Sequence, residues 1–266
     1  MKFKELTDYL DEQFPKSLSF PGDSDGVDVC VGYDLEIGRI LVVLDVTFEA
    51  IDYAITHGYN CIISHHTMIY RPMQKLDMST LAAKKAVLLA QHNICAASFH
   101  TRLDAVDGGV NDCLLKAAGI AHNVALLYED NVPIGRIVTL EEEKDLLEFI
   151  DGVKKSLKNF YQTEFSRDID IHIKYIKSGG KVKKIGSVSG GAASCIEIAA
   201  KTGADTFFAG EVKYHDFLEA HERFGMNAVT AGHFETEAVV LPFIKQKILE
   251  KFPEAKADCF IGDSLS

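Results

Sequence analysis

Histidine and carboxylate side chains recur at three points of the sequence, each time after an apolar segment. These residues are His65 and His66, then His100 and Asp104, then His233 and Glu237. Neutral imidazole and carboxylate groups together are ligands for zinc, iron, manganese or nickel. The pattern therefore indicates metal chemistry. A pair of loop histidines without any ligand is the simpler interpretation of His65 and His66 when these two residues are considered alone.

The apolar segments have the length of β-strands, and they alternate with longer amphipathic segments. Strands are predicted over Ile40–Val46, Cys61–Ser64, Ile94–Phe99, Ile185–Ser189, Thr206–Ala209 and Asn227–Thr230. Helices are predicted over Glu49–His57, Leu81–His92, Gly109–Ala118, Ser194–Thr202, Glu211–Phe224 and Thr236–Lys251. Between these two sets lies Asn123–Gly180, which contains Pro133–Leu140, the helical pattern Glu141–Lys158 and the strand-like Asp168–Ile176. Alternating strands and helices favour a largely parallel sheet covered on both faces.

The sequence also contains an internal repeat. Arg39–His66 and Lys184–Glu211 are both 28 residues long, and each runs from a strand through a helix to a second strand. Gly58 and Gly203 stand at equivalent positions, where glycine suits the left-handed cap of a helix. We therefore predict an α/β fold of two similar halves, related by a pseudo-two-fold repeat, with mostly parallel sheets. The predicted divisions are an N-terminal half at 1–122, a connecting insert at 123–182 and a C-terminal half at 183–266, packed as one unit.

The repeat predicts where the polar residues meet. Open α/β sheets bind ligands outside the carboxyl ends of their strands, so we expect these residues to line a cleft between the halves. A dinuclear metal site would form there. Adjacent residues point to opposite sides of a strand, so His65 and His66 suit different ions. Glu237 has the longer carboxylate arm and is the predicted bridge between two ions about 3.5–4 Å apart.

Two more segments are candidates for chemistry. Glu211 occupies the repeat position of His66, and the segment up to His215 is predicted to begin a helix that faces the cleft. Histidine exchanges protons near neutral pH, so His215 is either a general acid or base or an ordinary helix-surface residue. The segment Ser187–Ser194 contains adjacent glycines between a strand and a helix. Its backbone N–H groups could cradle a phosphate, or the glycines could simply allow close packing.

The composition is that of an ordinary globular protein, and it excludes several classes. The 28 basic and 39 acidic residues give a net charge of −11, which repels phosphate backbones and disfavours a nucleic-acid partner. No apolar run reaches the roughly 18 residues that cross a bilayer, and the first residues lack the apolar core of a secretion signal. The six cysteines form no Cys-x-x-Cys pair, as expected for reduced thiols. The chain is therefore predicted to be cytoplasmic, without a membrane partner.

With these motifs assembled, the sequence resembles the Nif-three-like family of dinuclear metal-centre proteins, many of which are labelled GTP cyclohydrolase type 2 homologues. The resemblance runs from end to end and is carried by Asp25-Gly-Val-Asp-Val-Cys-Val-Gly32, Leu44-Asp-Val-Thr47, Ile63-Ser-His-His66, His100-Thr-Arg-Leu-Asp104, Gly108-Gly-Val-Asn111, Gly135-Arg-Ile137, Gly210-Glu-Val-Lys-Tyr-His215 and Gly232-His-Phe-Glu-Thr-Glu237. The paired histidines and the Gly-His-x-x-x-Glu element are the specific parts. Where the family has Asp-Asn-x-Gly-Leu, this chain has Asp25-Gly-Val-Asp-Val, so substrate preference does not carry over.

The resemblance implies two metal ions held by five residues, with Glu237 touching both ions. The implied ligands are His65, His66, Asp104, His233 and Glu237. His100 would then orient a ligand or water without binding a metal itself. The resemblance also implies a ring-shaped homohexamer, and the modest insert matches the short form of the family.

Three functions are compatible with these residues. The first is a metal-dependent hydrolase acting on a nucleotide, in which metal-activated water attacks the imidazole ring of GTP and formate is lost. The second is a non-enzymatic metal-binding, regulatory or scaffold protein, which would need neither Glu211 nor His215. The third is a nucleic-acid-binding ring, against which the net charge of −11 counts.

Overall fold

A computed structural model describes residues 1–262, which form two compact units. The first, here called the terminal unit, contains Met1–Leu103 together with the chain from Leu241 onward. The second, the central unit, contains Asp104–Val240. The predicted divisions at 122/123 and 182/183 describe the sequence repeat, whereas these compact units divide the chain at 103/104 and 240/241.

The terminal unit is built on a five-stranded sheet with the strand order β1-β4-β3-β2-β11. Its strands are β1 (Gly26–Val29), β2 (Arg39–Val43), β3 (Cys61–Ser64), β4 (Cys95–Ser98) and β11 (Lys256–Phe260). Its helices are α1 (Phe3–Gln13), α2 (Phe48–His57), α3 (Leu81–Gln91) and α10 (Leu241–Lys251), with one 3-10 turn at Lys16–Leu18. All neighbouring strands are parallel except β1, which pairs antiparallel with β4. Strand β11, from the C-terminal part of the chain, pairs with β2 and forms an outer strand of this sheet.

Local sequence explains the terminal unit well. Strands β2, β3 and β4 consist of almost fully buried apolar residues, as expected for parallel strands covered on both faces. Helix α2 begins where the Thr47 hydroxyl accepts the Ala50 N–H, and it ends at Gly58 with φ of 71°. The core between this helix and the sheet includes Leu41, Ile51 and Ile62, which have no exposed surface.

The central unit is built on a six-stranded sheet with the strand order β5-β6-β8-β9-β10-β7. Its strands are β5 (Val124–Glu129), β6 (Val132–Asp145), β7 (Lys174–Ile176), β8 (Lys181–Gly191), β9 (Thr206–Glu211) and β10 (Asn227–Thr230). Its helices are α5 (Val110–Ala117), α6 (Leu146–Phe165), α7 (Cys195–Lys201), α8 (Tyr214–Glu222) and α9 (His233–Glu237), followed by a 3-10 turn at Ala238–Val240. The helix α4 (Thr101–Ala105) spans the boundary between the units. Strands β8, β9 and β10 are parallel, and the outer strands are antiparallel, so this sheet is mixed.

The predicted α/β fold with two sheets is confirmed, and the repeat is visible in the strand registers. In the terminal unit Ile40 pairs with Cys61, and in the central unit Ile185 pairs with Thr206, as the overlay of the two 28-residue segments requires. The four-strand order β1-β4-β3-β2 of one sheet has its counterpart in β7-β10-β9-β8 of the other, including the antiparallel outer strand.

Several predicted boundaries are wrong. The segment Glu141–Lys158 does not begin as a helix, because β6 continues to Asp145, whose side chain then caps α6 by accepting the Leu147 N–H. Of Asp168–Ile176, only the last three residues form a strand. Glu211 ends β9, and the helix after it begins at Tyr214.

The predicted helix Thr236–Lys251 is divided into α9, a 3-10 turn and α10. Pro242 lies at the second residue of α10. Proline lacks an N–H and its ring clashes with the carbonyl four residues earlier, so a continuous helix is not possible here. Within the part of the chain that the structure describes, no helix is long and apolar enough to cross a membrane.

A buried ion pair stabilises the central unit. Arg136 on β6 is only 1% exposed, and its Nε and Nη2 donate to the two carboxylate oxygens of Asp112 on α5 at 2.8 Å each. Burial by itself raises the pKa of Asp112, but the hydrogen bonds and charge of Arg136 outweigh burial and hold that pKa below its ordinary value. The carboxylate therefore stabilises the fold mainly in its charged form.

Asp112→Asn should lower the free energy of unfolding at pH 7 by about 1–3 kcal/mol, because Arg136 keeps its buried charge without a carboxylate. The folded pKa lies below the unfolded one, so this stabilisation is present above about pH 4 and is lost as the pH falls through the folded pKa. Urea unfolding of both proteins at pH 7 and pH 3 checks this. The exposed Asp107→Asn serves as control and should change stability by about 0.5 kcal/mol at most. An Asp112→Asn effect that is equally large at both pH values would contradict the assignment.

Candidate metal centre

Three imidazole rings lie together at the carboxyl ends of the strands in the terminal unit. His65 and His66 follow β3, and His100 follows β4, the neighbouring strand. One ligand atom from each ring lies within 4.8 Å of the others, and the His65 ring is fully buried. Parallel strands end at the same edge of a sheet, which brings these predicted residues together.

Each of the three rings is held by an acceptor at Nδ1. The Nδ1 of His65 donates to the Phe99 carbonyl at 3.0 Å, and that of His66 donates to the Asp45 carboxylate at 2.9 Å. The Nδ1 of His100 lies 3.0 Å from the Asp23 carboxylate.

These partners decide the tautomer. Carbonyl and carboxylate oxygens accept hydrogen bonds, so Nδ1 carries the hydrogen in each ring and Nε2 carries the lone pair whenever the ring is neutral. Metal-binding histidines have this arrangement, in which the second nitrogen is fixed by a carboxylate or a carbonyl.

The loop before β1 fixes the region around His100. Asp23 accepts hydrogen bonds from the His100 ring, and from the Thr101 hydroxyl at 2.6 Å and N–H at 3.1 Å. Burial by itself raises the pKa of Asp23, but the hydrogen bonds from His100 and Thr101 and the adjacent imidazole have a larger, opposite effect. The pKa of Asp23 therefore lies well below its ordinary value. Asp25 accepts the His100 N–H at 3.0 Å and binds the Nε of Arg102 at 2.7 Å.

In the central unit, a second group of predicted residues surrounds His233. Its Nε2 lies 3.0 Å from Glu237 Oε2, one helical turn later, and its Nδ1 lies 3.1 Å from Glu211 Oε1 at the end of β9. A neutral imidazole has only one N–H. One of the two contacts therefore sets a ring lone pair against a carboxylate oxygen, unless the ring is protonated or a cation lies between them.

Glycines allow the backbone to approach this group closely. Gly190, at the end of β8, has φ of 59°, and a Cβ at this position would overlap the carboxylate of Glu237 and lie 3.1 Å from His233 Nε2. A Cβ on Gly210 would lie 2.6 Å from the backbone nitrogen of Gly190. These contacts support the close-packing interpretation of the Ser187–Ser194 segment.

Hydrogen bonds hold the remaining predicted ligand, Asp104. Asp104 is 7% exposed, and its carboxylate accepts the Ser189 hydroxyl at 3.3 Å. The Asn111 side chain donates to the Asp104 carbonyl at 3.1 Å and accepts the Ser189 N–H at 2.9 Å. Strand β8 and helix α5 thus both position this carboxylate.

Helix α9, which carries His233 and Glu237, rests on a buried tyrosine. The hydroxyl of Tyr161 on α6 donates towards the Glu235 carbonyl at 3.1 Å, and Tyr161 has no exposed surface. Burial, and then the charges of Glu235 and Glu237, raise the pKa of this phenol well above its ordinary value. Tyr161 therefore remains a hydrogen-bond donor.

A pocket of about 390 Å³ opens beside Glu211 in the central unit. It is lined by Gly191, Ala192, Ala193, Ser194, Glu211, Val212, Lys213 and Asp216. The lining includes two carboxylates, Glu211 and Asp216, and one ammonium group, Lys213, so it does not favour a ligand that carries only negative charge. His215 lies on the adjacent helix α8 with 72% of its side chain exposed, and its Nε2 is 3.3 Å from Asp216. The structure does not place His215 among the contacts of His233.

Sequence reasoning missed the carboxylates that orient the rings. Asp45 lies just after β2, at the same sheet edge as His66, so its position after an apolar strand was a usable signal. Asp23 lies in a loop before an antiparallel outer strand, and nothing in its local sequence points towards His100.

Comparison with known families identifies the family of this chain. A model of the family described as Duf34/NIF3 (NGG1p interacting factor 3) matches residues 1–263, so the chain belongs to that family. A relative from Clostridium acetobutylicum, called GTP cyclohydrolase 1 type 2 homolog, is 31% identical over 243 residues, covering 89% of this chain and 85% of the relative. A protein of the same name from Methanocaldococcus jannaschii is 27% identical, covering 92% and 94%.

Solved structures share the fold. The Staphylococcus aureus hypothetical protein SA1388 superimposes with a TM-score of 0.85 at 23% identity, covering 98% of this chain and 97% of that one. Reduced HcgD from Methanocaldococcus jannaschii gives a TM-score of 0.78 at 26% identity, covering 97% of both chains. The family resemblance deduced from the motifs is thereby confirmed.

Gly190→Ala should destabilise the central unit by about 1–3 kcal/mol more than Gly225→Ala does. Both glycines have left-handed backbone, with φ of 59° and 60°, so both substitutions carry the same backbone cost of about 1–2 kcal/mol. Only at Gly190 does the new methyl group meet a carboxylate, because nothing lies within 4 Å of a Cβ at Gly225. Chemical denaturation of the two variants measures the difference in their free energies of unfolding. Equal decreases in the two variants would show that the Glu237 carboxylate is not packed against Gly190.

Proposed function

We propose that this protein binds two divalent metal ions and is a metal-dependent hydrolase acting on a nucleotide. The proposed ligands are His65, His66, Asp104, His233 and Glu237, with Glu237 shared between the ions and His100 orienting a ligand or water. The observation that carries the metal assignment is the fixed orientation of the imidazole rings, each held at Nδ1 by an acceptor. Such rings present an Nε2 lone pair without further rearrangement.

The donor set suits hard or borderline divalent ions. It combines neutral imidazoles with carboxylates and contains no thiolate, which fits zinc, iron, manganese or nickel. In the central unit, His233 Nε2 and Glu237 Oε2 are 3.0 Å apart, and a cation would convert a contact between two electron-rich atoms into a favourable one. The His233–Glu211 hydrogen bond would then fix the ring through its other nitrogen.

The hydrolytic part of the proposal rests on the names of relatives and on the pocket beside Glu211. Several relatives are called GTP cyclohydrolase 1 type 2 homolog, which supports GTP or a related nucleotide as substrate. When bound, two divalent ions supply Lewis-acid activation of water near neutral pH. Hydrolysis of the purine imidazole ring of GTP would release formate.

The chain itself contributes orientation and proton transfer. The Glu211 carboxylate contacts the His233 ring and also lines the pocket, so it can reach a substrate bound in that pocket. His215 is the second candidate for proton transfer, on the exposed side of α8 next to Asp216. The ring-shaped homohexamer implied by the family resemblance and the cytoplasmic location predicted from the sequence remain predictions.

The metal assignment is tested by elemental analysis of protein purified without chelator. Close to two divalent ions per chain are expected in the wild type, and Glu237→Gln should lose most of them. Glu235→Gln, a matched change two residues earlier on the same helix, should retain them. Asp45→Asn should weaken metal affinity about 10–100-fold, because the His66 ring loses its fixed orientation. Wild-type protein that stays free of metal after incubation with zinc, iron, manganese and nickel would refute the assignment.

The hydrolytic assignment is tested separately, on protein whose metal content has been measured. Incubation with GTP should release formate. Glu211→Gln, supplied with added metal until its metal content equals that of the wild type, should reduce the rate at least about tenfold. Formate release unchanged in Glu211→Gln would remove this residue from the reaction. Absence of any turnover with GTP and other nucleotides, at full metal content, would reject the hydrolase.

The exposure of His215 favours one alternative, a non-enzymatic metal-binding or scaffold protein. His215 contacts Asp216, whereas Glu211 contacts His233, so among the described residues Glu211 is the proton-transfer candidate held beside the His233 group. In that case, Glu211→Gln and His215→Ala would both leave the cellular function intact, whereas Glu237→Gln would abolish it.

A further inference from the structure

The terminal unit contains two cysteines on neighbouring antiparallel strands, outside the proposed metal centre. Cys30 directly follows β1 and is exposed, whereas Cys95 begins β4 and is buried. Strands β1 and β4 are antiparallel, and Val29 lies opposite Ala96. The residues that continue this register are Cys30, after Val29, and Cys95, before Ala96, so the two cysteines lie opposite each other. Besides burial, the proximity of Cys30 is among the causes that raise the pKa of Cys95.

The surroundings make the two thiols chemically different. Burial raises the pKa of Cys95, although N–H groups of Val31 and Gly32 at its sulfur partly oppose this effect. Cys30 is the member of the pair that solvent can reach. Redox-sensitive cysteines typically combine one accessible thiol with a second thiol close enough to capture its oxidised form.

We propose that Cys30 and Cys95 form an oxidisable dithiol, in which Cys30 reacts with a peroxide and Cys95 converts the product into an intramolecular disulfide. In the first step, the Cys30 thiolate attacks one oxygen of hydrogen peroxide, the O–O bond breaks, and a sulfenic acid and water result after proton transfer. In the second step, the Cys95 sulfur attacks the Cys30 sulfur, the S–O bond breaks, and a second water leaves. Two electrons pass from the two thiols to the peroxide.

Three other cysteines, Cys61, Cys113 and Cys195, are less suited to this chemistry. Cys61 pairs in register with Cys95 across β3 and β4, but both are fully buried, so an oxidant must first react with Cys30. Burial raises the pKa of Cys113 and of Cys195 to about 12, which keeps both as unreactive thiols.

Tryptic mapping can identify the product, because the three neighbouring cysteines fall in separate peptides. Cys30 lies in 17–39, Cys61 in 40–75 and Cys95 in 86–102. Reduced full-length protein is treated with a small excess of hydrogen peroxide at neutral pH. It is then alkylated under denaturing conditions and digested without reductant.

Peptides 17–39 and 86–102 should appear joined, and alkylatable thiols should fall from six to four. The cross-link should disappear on reduction. It should be absent in Cys30→Ser and should persist in the control Cys113→Ser. In Cys95→Ala, the sulfenic acid should accumulate on Cys30 and be captured by dimedone. A cross-link between peptides 40–75 and 86–102, a disulfide between two chains, or six remaining thiols with no dimedone adduct would overturn the proposal.

Discussion

The buried charge of Arg102 is the constraint on which the terminal part of the candidate site depends. Its guanidinium carries a positive charge, and its side chain is only 1% exposed. Asp25, itself fully buried in its side chain, accepts Nε at 2.7 Å, while Nη1 donates to Asp11 at 2.7 Å and to the Phe14 carbonyl at 2.9 Å. Separating a buried pair costs far more than the pair contributes. The loop before β1, the end of α1 and the start of α4 are therefore fixed together.

The orientation of the imidazole rings follows from this arrangement. Asp25 also accepts the His100 N–H, so the same loop that neutralises Arg102 places Asp23 against the His100 ring. The central unit achieves a comparable result by different means. There, a positive φ at Gly190 and the missing side chain at Gly210 let β8 and β9 come close to the carboxylate of Glu237. In the terminal unit, buried charged groups hold the imidazole ring in place. In the central unit, the conformation and close approach of the glycine backbone do the same for the Glu237 carboxylate.

The sequence was sufficient for the repeated strand–helix–strand units of the scaffold. Strands such as Cys61–Ser64 and Asn227–Thr230 were predicted at their observed bounds, because continuous apolar runs between turn residues have few other solutions. The orienting carboxylates were missed for a physical reason. Which loop lies against His100 depends on β1 pairing antiparallel with β4, and strand order is decided by tertiary packing and not by local pattern. The pairing of β11 with β2 was missed for the same reason.

The repeat is exact in the scaffold but not in the candidate site. The N–H of Phe99 donates to the Ser64 carbonyl, and the N–H of Ala231 donates to the equivalent carbonyl of Ala209, so Phe99 and Ala231 are equivalent positions. The next residue in each half is then also equivalent, which pairs His100 with Gly232. The sequence match of His100 with His233 is therefore displaced by one residue.

On a helix, one residue corresponds to a rotation of about 100°, which turns a side chain to a different face. Helices α4 and α9 begin and end at equivalent positions, so the counterpart of Glu237 is Ala105 and that of Asp104 is Thr236. If both halves descend from one ancestral unit, the strands kept their register while the carboxylates changed helix face. The proposed ligands are accordingly unequal between the halves, with adjacent histidines after β3 and a single exposed glutamate, Glu211, at the corresponding end of β9. A symmetric scaffold can thus present different sets of donors in its two halves, because each half needs only a rigid strand end from which the donors project.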